Sequence, residues 1–519
     1  MMSEWPRNPS TAVDVCLLLE GTYPRVTGGV AHWVAHLVEH FSELRFAVAF
    51  IGGNAEDYPA IVYPLPANVS HYGECFIHGS DPHPPPRRSR ASQATVMAEV
   101  DALHHCLHQS AGRTELTQRL RRLLPLMRPG QAMDQEQFLR GRGSWELLTH
   151  YYRTYCREPS FTDYFWTTRF MHLPLWRLVE FYQTLPPARL YHAVSTGFAG
   201  FLGTVARYQS QRPLLLTEHG IYNKERKIDL LLSSTIQDSR QFLEMNRAQM
   251  SYIRELWIDF FTSLGRFCYD ACDDIVTLFE ANRQRQIQDG ADPAKTRCIS
   301  NGIDVPRFAA LRSLRPATCP PVIALVGRVV PIKDVKTFIQ AVFLARKTLP
   351  DLQGWLVGSM DEDPEYAREC QQFARSLELS EPQLRFLGHR SVDTLYPQIG
   401  LIVFSSISEG QPLVLLEAYA AGIPAVVTDV GALREMVLGA NPEDCALGPS
   451  GRVVPMAQAQ TMADAILALM TNSALWQAAQ SSAMARVERF YDSRLMERQY
   501  RELYQRLIHV DSSMHREGD

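Results

Sequence analysis

The sequence contains no hydrophobic segment long enough to cross a bilayer. A transmembrane helix needs about 20 consecutive, mostly apolar residues, and no such run occurs among the 519 residues. The first residues, MMSEWPRNPSTA, also lack the basic stretch and the following apolar stretch of a secretory leader. We therefore expect a cytoplasmic protein.

Cysteine and histidine clusters with the spacing of a metal site are also missing. The ten cysteines are scattered, and the closest two, Cys268 and Cys272, are about one helical turn apart, which core packing explains. His104, His105 and His108 have no carboxylate or cysteine at useful spacing, so we interpret them as solvated or core residues. We expect reduced thiols, no metal and no cofactor. A net charge of −4 gives no reason to expect nucleic acid as a partner.

The dinucleotide-binding fingerprint G-x-G-x-x-G is absent as well, but strands, glycine-rich turns and helices alternate. A buried apolar strand at 13–19 is followed by Gly28 and Gly29, a helix to about residue 41 and a strand at 46–51. This order predicts a Rossmann-like unit. The two glycines indicate either a tight turn or a close approach of the backbone to a phosphate or sugar, which a Cβ atom would obstruct.

The same alternation resumes at 190–217 and again from residue 322, which predicts an α/β protein with two Rossmann-like domains. Residues 95–183 have a mostly helical pattern, so we interpret about 54–185 as a helical insertion in the first domain. The predicted boundaries are 1–311 for the first domain, 312–488 for the second, and 489–519 for a C-terminal helix. That helix belongs to an amphipathic pattern predicted as one helix over 483–507.

Residues 401–424, LIVFSSISEGQPLVLLEAYAAGIP, contain two carboxylates in an apolar strand–helix unit. The pattern predicts a strand at 401–404, with Pro412 in the first turn of a helix that ends before Gly422. Glu409 precedes this helix and Glu417 lies within it, where burial is costly without a hydrogen-bond partner. Because a helix N-terminus attracts anions, a hydroxyl-rich ligand with a phosphate would suit the unit. The alternative is a capping glutamate and a surface glutamate.

Other polar residues follow predicted strands at the edge where ligands of open α/β sheets gather. His219 follows a strand at 213–217, and His389 follows one at 385–387. Arg328 and Lys333 lie between the strand at 322–326 and the next helix. Two cations there can neutralise a diphosphate and stabilise charge on a departing nucleotide. The alternatives are a structural histidine and a salt-bridged helix start.

The spacing of these residues resembles that of family-4 retaining glycosyltransferases of the GT-B class. Glu409, Gly410, Pro412 and Glu417 match E-G-x-P-x4-E, and Arg328 with Lys333 matches G-R-x4-K. The resemblance implies two Rossmann-like domains facing across a cleft, a nucleotide-sugar domain at 312–488, an acceptor domain at 1–311, and a C-terminal helix that returns to the first domain. It implies catalytic roles for His219, Glu409, Arg328 and Lys333, and contacts to the nucleotide sugar from Gly28, Gly29, Arg328, Lys333, His389, Gly410, Pro412, Leu413, Val414 and Glu417.

Two stretches, VCLLLEGTYPRVTGGVAHWV and LLTEHGIYNKER, together with the helical insertion, more particularly resemble the cytosolic glycosyltransferases of Pel exopolysaccharide synthesis (the PelF type). This implies metal-independent transfer of a hexosyl or N-acetylhexosaminyl unit from a UDP-sugar to a growing polysaccharide, with retained configuration. It also implies peripheral attachment to the inner membrane through synthase subunits. Three alternatives stay open: a GT-B epimerase of UDP-sugars, a catalytically inactive GT-B scaffold of a membrane synthase, and a starch- or glycogen-synthase-like enzyme.

Overall fold

The structure, a computed structural model, describes residues 12–58, 60–78, 93–108, 113–128, 133, 135–156, 160–232 and 252–514. Tertiary contacts divide the chain into two units. The first runs to Thr277 and includes Arg283–Arg297 and the chain from Arg501 onward, and the second comprises Leu278–Asn282 and Cys298–Tyr500. None of the helices in these described ranges combines the length and the apolar character needed to span a membrane.

The first unit is built on a seven-stranded sheet with the order β3-β2-β1-β4-β5-β6-β7. Every strand pair whose register is described is parallel. Short apolar runs form the central strands because both faces of a parallel sheet are covered by helices. The strands are β1 (Val13–Glu20), β2 (Phe46–Gly52), β3 (Val69–Phe76), β4 (Ala188–Ala193), β5 (Leu214–Glu218), β6 (Asp274–Thr277) and β7 (Thr296–Cys298).

Ten helices of the described chain accompany this sheet, and five of them fall between β3 and β4. The helices are α1 (Gly29–His40), α2 (Gln93–His108), α3 (Arg113–Leu123), α4 (Gln135–Arg140), α5 (Arg142–Tyr155), α6 (Phe161–Tyr182), α7 (Phe198–Ser210), α8 (Tyr222–Leu232), α9 (Tyr252–Ala271) and α10 (Glu280–Gln288). One hydrophobic core joins the sheet to these helices, and it includes Leu18, Trp176 and Phe201.

The second unit has a six-stranded parallel sheet with the order β10-β9-β8-β11-β12-β13. In both sheets the strand order reverses between the first and the fourth strand, and in open α/β sheets this reversal marks where ligands bind. The strands are β8 (Val322–Val326), β9 (Gln353–Val357), β10 (Leu384–Gly388), β11 (Leu401–Phe404), β12 (Ala425–Thr428) and β13 (Gly451–Val454).

Helices cover both faces of the second sheet, over two buried apolar clusters. They are α11 (Val305–Ala309), α12 (Val335–Arg346), α13 (Pro364–Ser376), α14 (Val392–Leu395), α15 (Leu413–Ala420), α16 (Leu433–Leu438), α17 (Pro442–Cys445), α18 (Ala459–Met470), α19 (Ser473–Phe490) and α20 (Ser493–Met514). The part of α20 from Arg501 onward belongs to the first unit, where Tyr504 donates a hydrogen bond to His192 or accepts one from it, at 2.7 Å.

The prediction of a single helix over 483–507 is wrong, because the helix is interrupted at Tyr491 and Asp492, between α19 and α20. There the backbone pairs with Ile303: the Ile303 amide donates to the Tyr491 carbonyl, and the Ser493 amide donates to the Ile303 carbonyl. Gly302 permits this approach, since a Cβ atom on it would lie 2.4 Å from the Ser493 Cα. The break is therefore a tertiary feature stabilised by a distant segment.

Two further expectations differ from the structure. Residues 54–185 are not only a helical insertion, because they contain β3, which pairs with β2 as a regular strand of the sheet. The boundary predicted at residue 311 lies nearer residue 298, where the second unit resumes. The segment before residue 311 joins that unit through Asn301, whose backbone amide donates to the Gln411 side chain at 2.6 Å.

Candidate active site

Glycines join the carboxyl ends of three neighbouring strands in the second unit. Gly327 follows β8 and its amide donates to the Val357 carbonyl, while the Gly358 amide donates to the Gly388 carbonyl. Gly358 has a φ of +154°, and a Cβ atom on it would lie 1.9 Å from the Gly327 carbonyl oxygen. Only glycine fits this crossing. The crossing fixes where Arg328 and His389 leave the sheet.

Lys333 and Glu409 meet at the point where the strand order of this sheet reverses. The Lys333 ammonium donates to Glu409 Oε1 at 2.5 Å, and the two side chains are 18% and 8% exposed. Lys333 lies in the segment after β8, and Glu409 lies in the segment after β11, its neighbour in the sheet. The structure therefore brings two of the predicted catalytic residues into direct contact.

The backbone around Glu409 is held by several hydrogen bonds. Ser406 donates its hydroxyl to Glu409 Oε1 at 2.6 Å, and the Ser405 hydroxyl donates to the Lys333 carbonyl at 2.9 Å. The Ala432 amide donates to the Gly410 carbonyl. Because both ends of the ion pair are fixed through their own backbone, its position is set by the sheet.

Pro412 lies immediately before helix α15. Its backbone is extended (φ −71°, ψ 123°) and it occupies the N-cap position, so the prediction that it forms part of the first turn is wrong by one residue. Leu413 and Val414 then begin the helix. The first amides of a helix have no acceptor within it, so the start of α15 offers backbone donors to an anion next to Gly410.

Glu417 lies inside α15 and accepts a hydrogen bond from the Tyr396 hydroxyl at 3.1 Å. Burial raises the pKa of Glu417, although the Tyr396 hydrogen bond and the charge of Arg307 act in the opposite direction. Tyr396 is therefore the hydrogen-bond partner that a buried carboxylate on this apolar helix requires. A carboxylate held in this way keeps acceptor capacity for a ligand hydroxyl.

Among the described contacts, none joins Arg328 or His389 to this pair. The Arg328 guanidinium forms a 2.5 Å ion pair with Glu362, and both side chains are about half exposed. His389 is exposed and follows Gly388, whose φ is +64°. The Arg328–Glu362 pair involves neither Lys333 nor Glu409. The roles of Arg328 and His389 at a nucleotide therefore stay predictions.

In the first unit, His219 follows β5 and packs against Trp33 of α1, with ring centroids 4.7 Å apart. Burial lowers the pKa of His219 to about 4, so its imidazole is neutral near pH 7. Its Nε2 atom is buried without a hydrogen-bond partner. A neutral histidine with an unsatisfied ring nitrogen is able to bind a hydroxyl group.

Gly28 and Gly29 stand at the start of α1, after the β1 strand. A Cβ atom added to either one would meet nothing within 4 Å, so no tight packing within the protein requires glycine there. The φ of Gly28, +159°, favours glycine for the backbone itself, so the tight turn remains the alternative and the contact with a ligand stays a prediction.

The sequence did not single out two carboxylates at the same edge of the first sheet, one partly buried and one fully buried. Glu20, at the end of β1, accepts from the Phe198 amide at 2.8 Å and from the Tyr222 hydroxyl at 2.8 Å. Glu218, fully buried, accepts from Thr196, Tyr269 and Gln286. Both are strand-terminal glutamates, and that position was the available signal.

Comparison with known proteins shows which class of protein the chain resembles. Residues 320–472 match the family model described as Glycosyl transferases group 1. Among solved structures, Anabaena HepE in complex with UDP aligns at a TM-score of 0.55, with 15% identity over 95% of this chain and 99% of that one. Sucrose-phosphate synthase of Thermosynechococcus elongatus aligns at 0.53, with 17% identity over 96% and 100%. The fold is therefore GT-B, as predicted.

Residues 13–294 match a second family model, and this match covers more than half of the 519 residues. The chain belongs to the family described as Domain of unknown function (DUF3492). The group 1 match lies in the second unit, and it confirms the predicted enzyme class, a glycosyltransferase.

Curated relatives resemble only part of the chain. A D-inositol 3-phosphate glycosyltransferase of Geodermatophilus obscurus is 35% identical over 30% of this chain and 38% of its own length. An exopolysaccharide phosphotransferase of Streptomyces coelicolor is 32% identical over 40% and 22%. A lipopolysaccharide core mannosyltransferase of Rhizobium meliloti is 28% identical over 37% and 55%. The chain thus spans between about a fifth and just over half the length of these relatives.

Proposed function

We propose that this protein is a retaining glycosyltransferase that moves a hexosyl or N-acetylhexosaminyl unit from a UDP-sugar to a growing polysaccharide, in exopolysaccharide synthesis of the Pel type. The observation that carries the proposal is the Lys333–Glu409 pair beside the start of α15, where the strand order reverses. This arrangement places a cation, a carboxylate and helix amides together. A sugar diphosphate has complementary groups for all three.

Lys333 and the amides at the start of α15 suit the diphosphate of such a donor. An ammonium group carries three N–H donors, so Lys333 can hold Glu409 and still donate to a phosphate oxygen. Glu409 would accept from hydroxyls of the sugar. For His219 the family resemblance implies a contact with a sugar hydroxyl. Glu417, raised in pKa and held by Tyr396, would accept from the ribose.

The reaction proposed is a same-face displacement. The acceptor hydroxyl oxygen attacks the anomeric carbon, the bond from that carbon to the diphosphate oxygen breaks, and the acceptor proton passes to the leaving diphosphate. Lys333 would stabilise the negative charge that develops on the leaving group, which is the interaction that lowers the barrier. The chain would dock to inner-membrane synthase subunits as its partners.

The test compares Lys333→Gln with Lys336→Gln, a matched change at an exposed lysine paired with Glu369 at 2.7 Å. We expect Lys333→Gln to lower turnover of a UDP-sugar by at least about 100-fold, the usual effect of removing one charge-stabilising donor, and Lys336→Gln to leave it unchanged. Calorimetric titration of UDP and UDP-sugars, followed by chromatography of released UDP with and without acceptor glycan, provides the measurements.

Each alternative gives a distinct result in this test. An epimer formed from UDP-sugar without an acceptor would establish an epimerase instead, and failure to bind UDP would establish a scaffold. Release of UDP only with an α-glucan acceptor would place the chain with starch- or glycogen-type synthases. Normal turnover by Lys333→Gln would remove Lys333 from the mechanism.

A further inference from the structure

The helical region of the first unit contains a cavity that is separate from the carboxyl edge of its sheet. It has a volume of about 340 Å³ and adjoins a second cavity of about 180 Å³. Protein interiors are normally packed without voids of this size, whereas small-molecule pockets begin at about 300 Å³. The two cavities share six lining residues: Val100, His104, Phe138, Met171, His172 and Leu256.

The walls of the larger cavity are mainly apolar, although two histidines face it. His104 and His172 each bond through Nδ1 to a backbone carbonyl, those of Val100 and Thr168, at 2.8 and 2.7 Å. Their Nε2 atoms contact each other at 3.1 Å. Because each Nδ1 donates its proton to a carbonyl, the Nε2 atoms of the two neutral rings are both acceptors, and they face each other. The mainly apolar walls of the cavity suit a hydrocarbon better than a sugar.

The mouth of the cavity has a different character, with aromatic rings that are open to solvent. Trp145 of α5 lines the cavity and is 52% exposed. It contacts Phe165 of α6, with ring centroids 6.2 Å apart, and Phe165 contacts Trp166 at 5.3 Å. Trp166 and Phe170 are also about half exposed. A ligand that enters here would pass from an aromatic rim into an apolar interior.

Two arginines line the same cavity, Arg140 at the end of α4 and Arg169 on α6. Burial lowers the pKa of Arg169, and the charge of Arg140 lowers it further, which shows how close the two cations lie. Among the described residues no carboxylate is ion-paired with Arg169, which contacts the Leu139 carbonyl and the Trp166 ring. A cation such as Arg169 beside an apolar cavity attracts an anion that also has an apolar part.

We propose that this cavity binds a single-chain amphiphile, with its hydrocarbon chain among the cavity walls and its anionic head group at Arg169. The observation is the combination of an apolar cavity, an aromatic mouth and two guanidinium groups in the described chain. The inference is independent of the transferase function, since none of the residues that line this cavity belongs to the proposed sugar-nucleotide site. A carboxylate and a phosphate head group share this chemistry.

The test titrates the full-length protein with dodecanoate, dodecyl phosphate and dodecanol, each below its aggregation concentration, by calorimetry. We expect at least one anionic compound to bind at least 10-fold more tightly than dodecanol. Tighter binding of dodecanoate would assign the site to fatty acids, and tighter binding of dodecyl phosphate would assign it to phosphorylated lipids. Binding of neither anion, or equal binding of dodecanol, would overturn the proposal.

Two variants test the two halves of the site separately. Arg169→Gln should weaken binding of the anion at least 10-fold, whereas Arg153→Gln, an exposed arginine of α5 that does not line the cavity, should leave it unchanged. Leu148→Trp should fill the larger cavity and abolish binding of the ligand's hydrocarbon chain. Unchanged melting and UDP titration would show that these variants are folded. Normal binding by both Arg169→Gln and Leu148→Trp would place the amphiphile elsewhere.

Discussion

At the scale of single residues, the two units use buried carboxylates in different ways. In the second unit, Glu409 is paired with Lys333 at 2.5 Å. In the first unit, Glu218 is fully buried, and its donors among the described residues are neutral: Thr196, Tyr269, Gln286 and the Tyr222 backbone. Neutral donors offset less of the cost of burying a charge than a cation does. We therefore expect the contribution of Glu218 to the free energy of unfolding to depend strongly on pH.

Burial raises the pKa of Glu218 to about 7 from its ordinary value of 4.5. The protonated form is thus favoured by folding, and the stability it contributes is fully present below about pH 4.5 and is lost as pH rises through 7. The loss relative to Glu218→Gln should be on the order of 3 kcal/mol, since each pKa unit corresponds to about 1.4 kcal/mol. Urea unfolding of both proteins from pH 4.5 to 8 measures this difference.

The buried histidines of the same unit change stability in the opposite direction. Burial lowers the pKa of His192 to about 3 and that of His219 to about 4, so their contribution is lost as pH falls below about 6.5. This effect is common to the wild type and Glu218→Gln, and it cancels in the difference. A difference between the two proteins that is constant from pH 4.5 to 8 would show that Glu218 is ionised throughout.

At the scale of elements, the loop that carries Glu409 is supported by the turn after β12. Gly431 in that turn has a φ of +55°, and a Cβ atom on it would lie 2.0 Å from the Glu409 carbonyl oxygen. The neighbouring Ala432 amide donates to the Gly410 carbonyl. A side chain at residue 431 would therefore displace the backbone of the proposed donor site and leave the strands on either side in place.

This contact predicts that Gly431→Ala weakens UDP binding more than its effect on stability would suggest. The matched control is Gly448→Ala, at a φ of +81°, where a Cβ atom would meet only the Ser482 hydroxyl at 3.4 Å. Both variants should lose about 1 kcal/mol of stability from the positive φ, and only Gly431→Ala should lower UDP affinity, by 10-fold or more. Calorimetry and thermal melting of the two variants measure these effects, and equal UDP affinities would contradict the role of the turn.

Elements with strong apolar runs were predictable, and elements defined by tertiary contacts were not. The strand β8 occurs where the sequence predicts it, and β1, β2 and β5 differ by one or two residues. The edge strand β3 was missed because it pairs with only one neighbour and alternates polar residues such as Glu74, which binds Arg25 at 2.5 Å. An exposed edge does not produce an apolar run.

The same distinction applies to the candidate site. The types and order of Arg328, Lys333, Glu409 and Glu417 could be read from the sequence, because each follows a recognisable strand or lies within a recognisable helix. Their partners could not, since Glu362 and Tyr396 come from other loops whose positions depend on the whole sheet. The interruption between α19 and α20 at Asp492 likewise depends on its pairing with Ile303.

At the scale of the whole molecule, two open sheets share one topology. Each follows the order third, second, first, fourth, fifth and sixth strand, and the first sheet adds a seventh. Each unit has its own buried apolar core, so each has the contacts needed to unfold and exchange amide hydrogens as a cooperative unit. A ligand that binds one unit should therefore protect mainly the amides of that unit.

This separation predicts the effect of UDP on hydrogen exchange. If Lys333, Glu417 and the start of α15 bind the nucleotide, UDP at 100 times its dissociation constant should slow exchange in β8, β11 and α15 through about 2.7 kcal/mol of added stability. The strands β1, β2 and β4 should change little. Uridine, which has no diphosphate for Lys333 and the helix amides, is the matched control and should protect these segments much less. Mass spectrometry of peptides from both units measures the pattern, and protection confined to β1–β7 would show that the first unit, and not the second, holds the nucleotide.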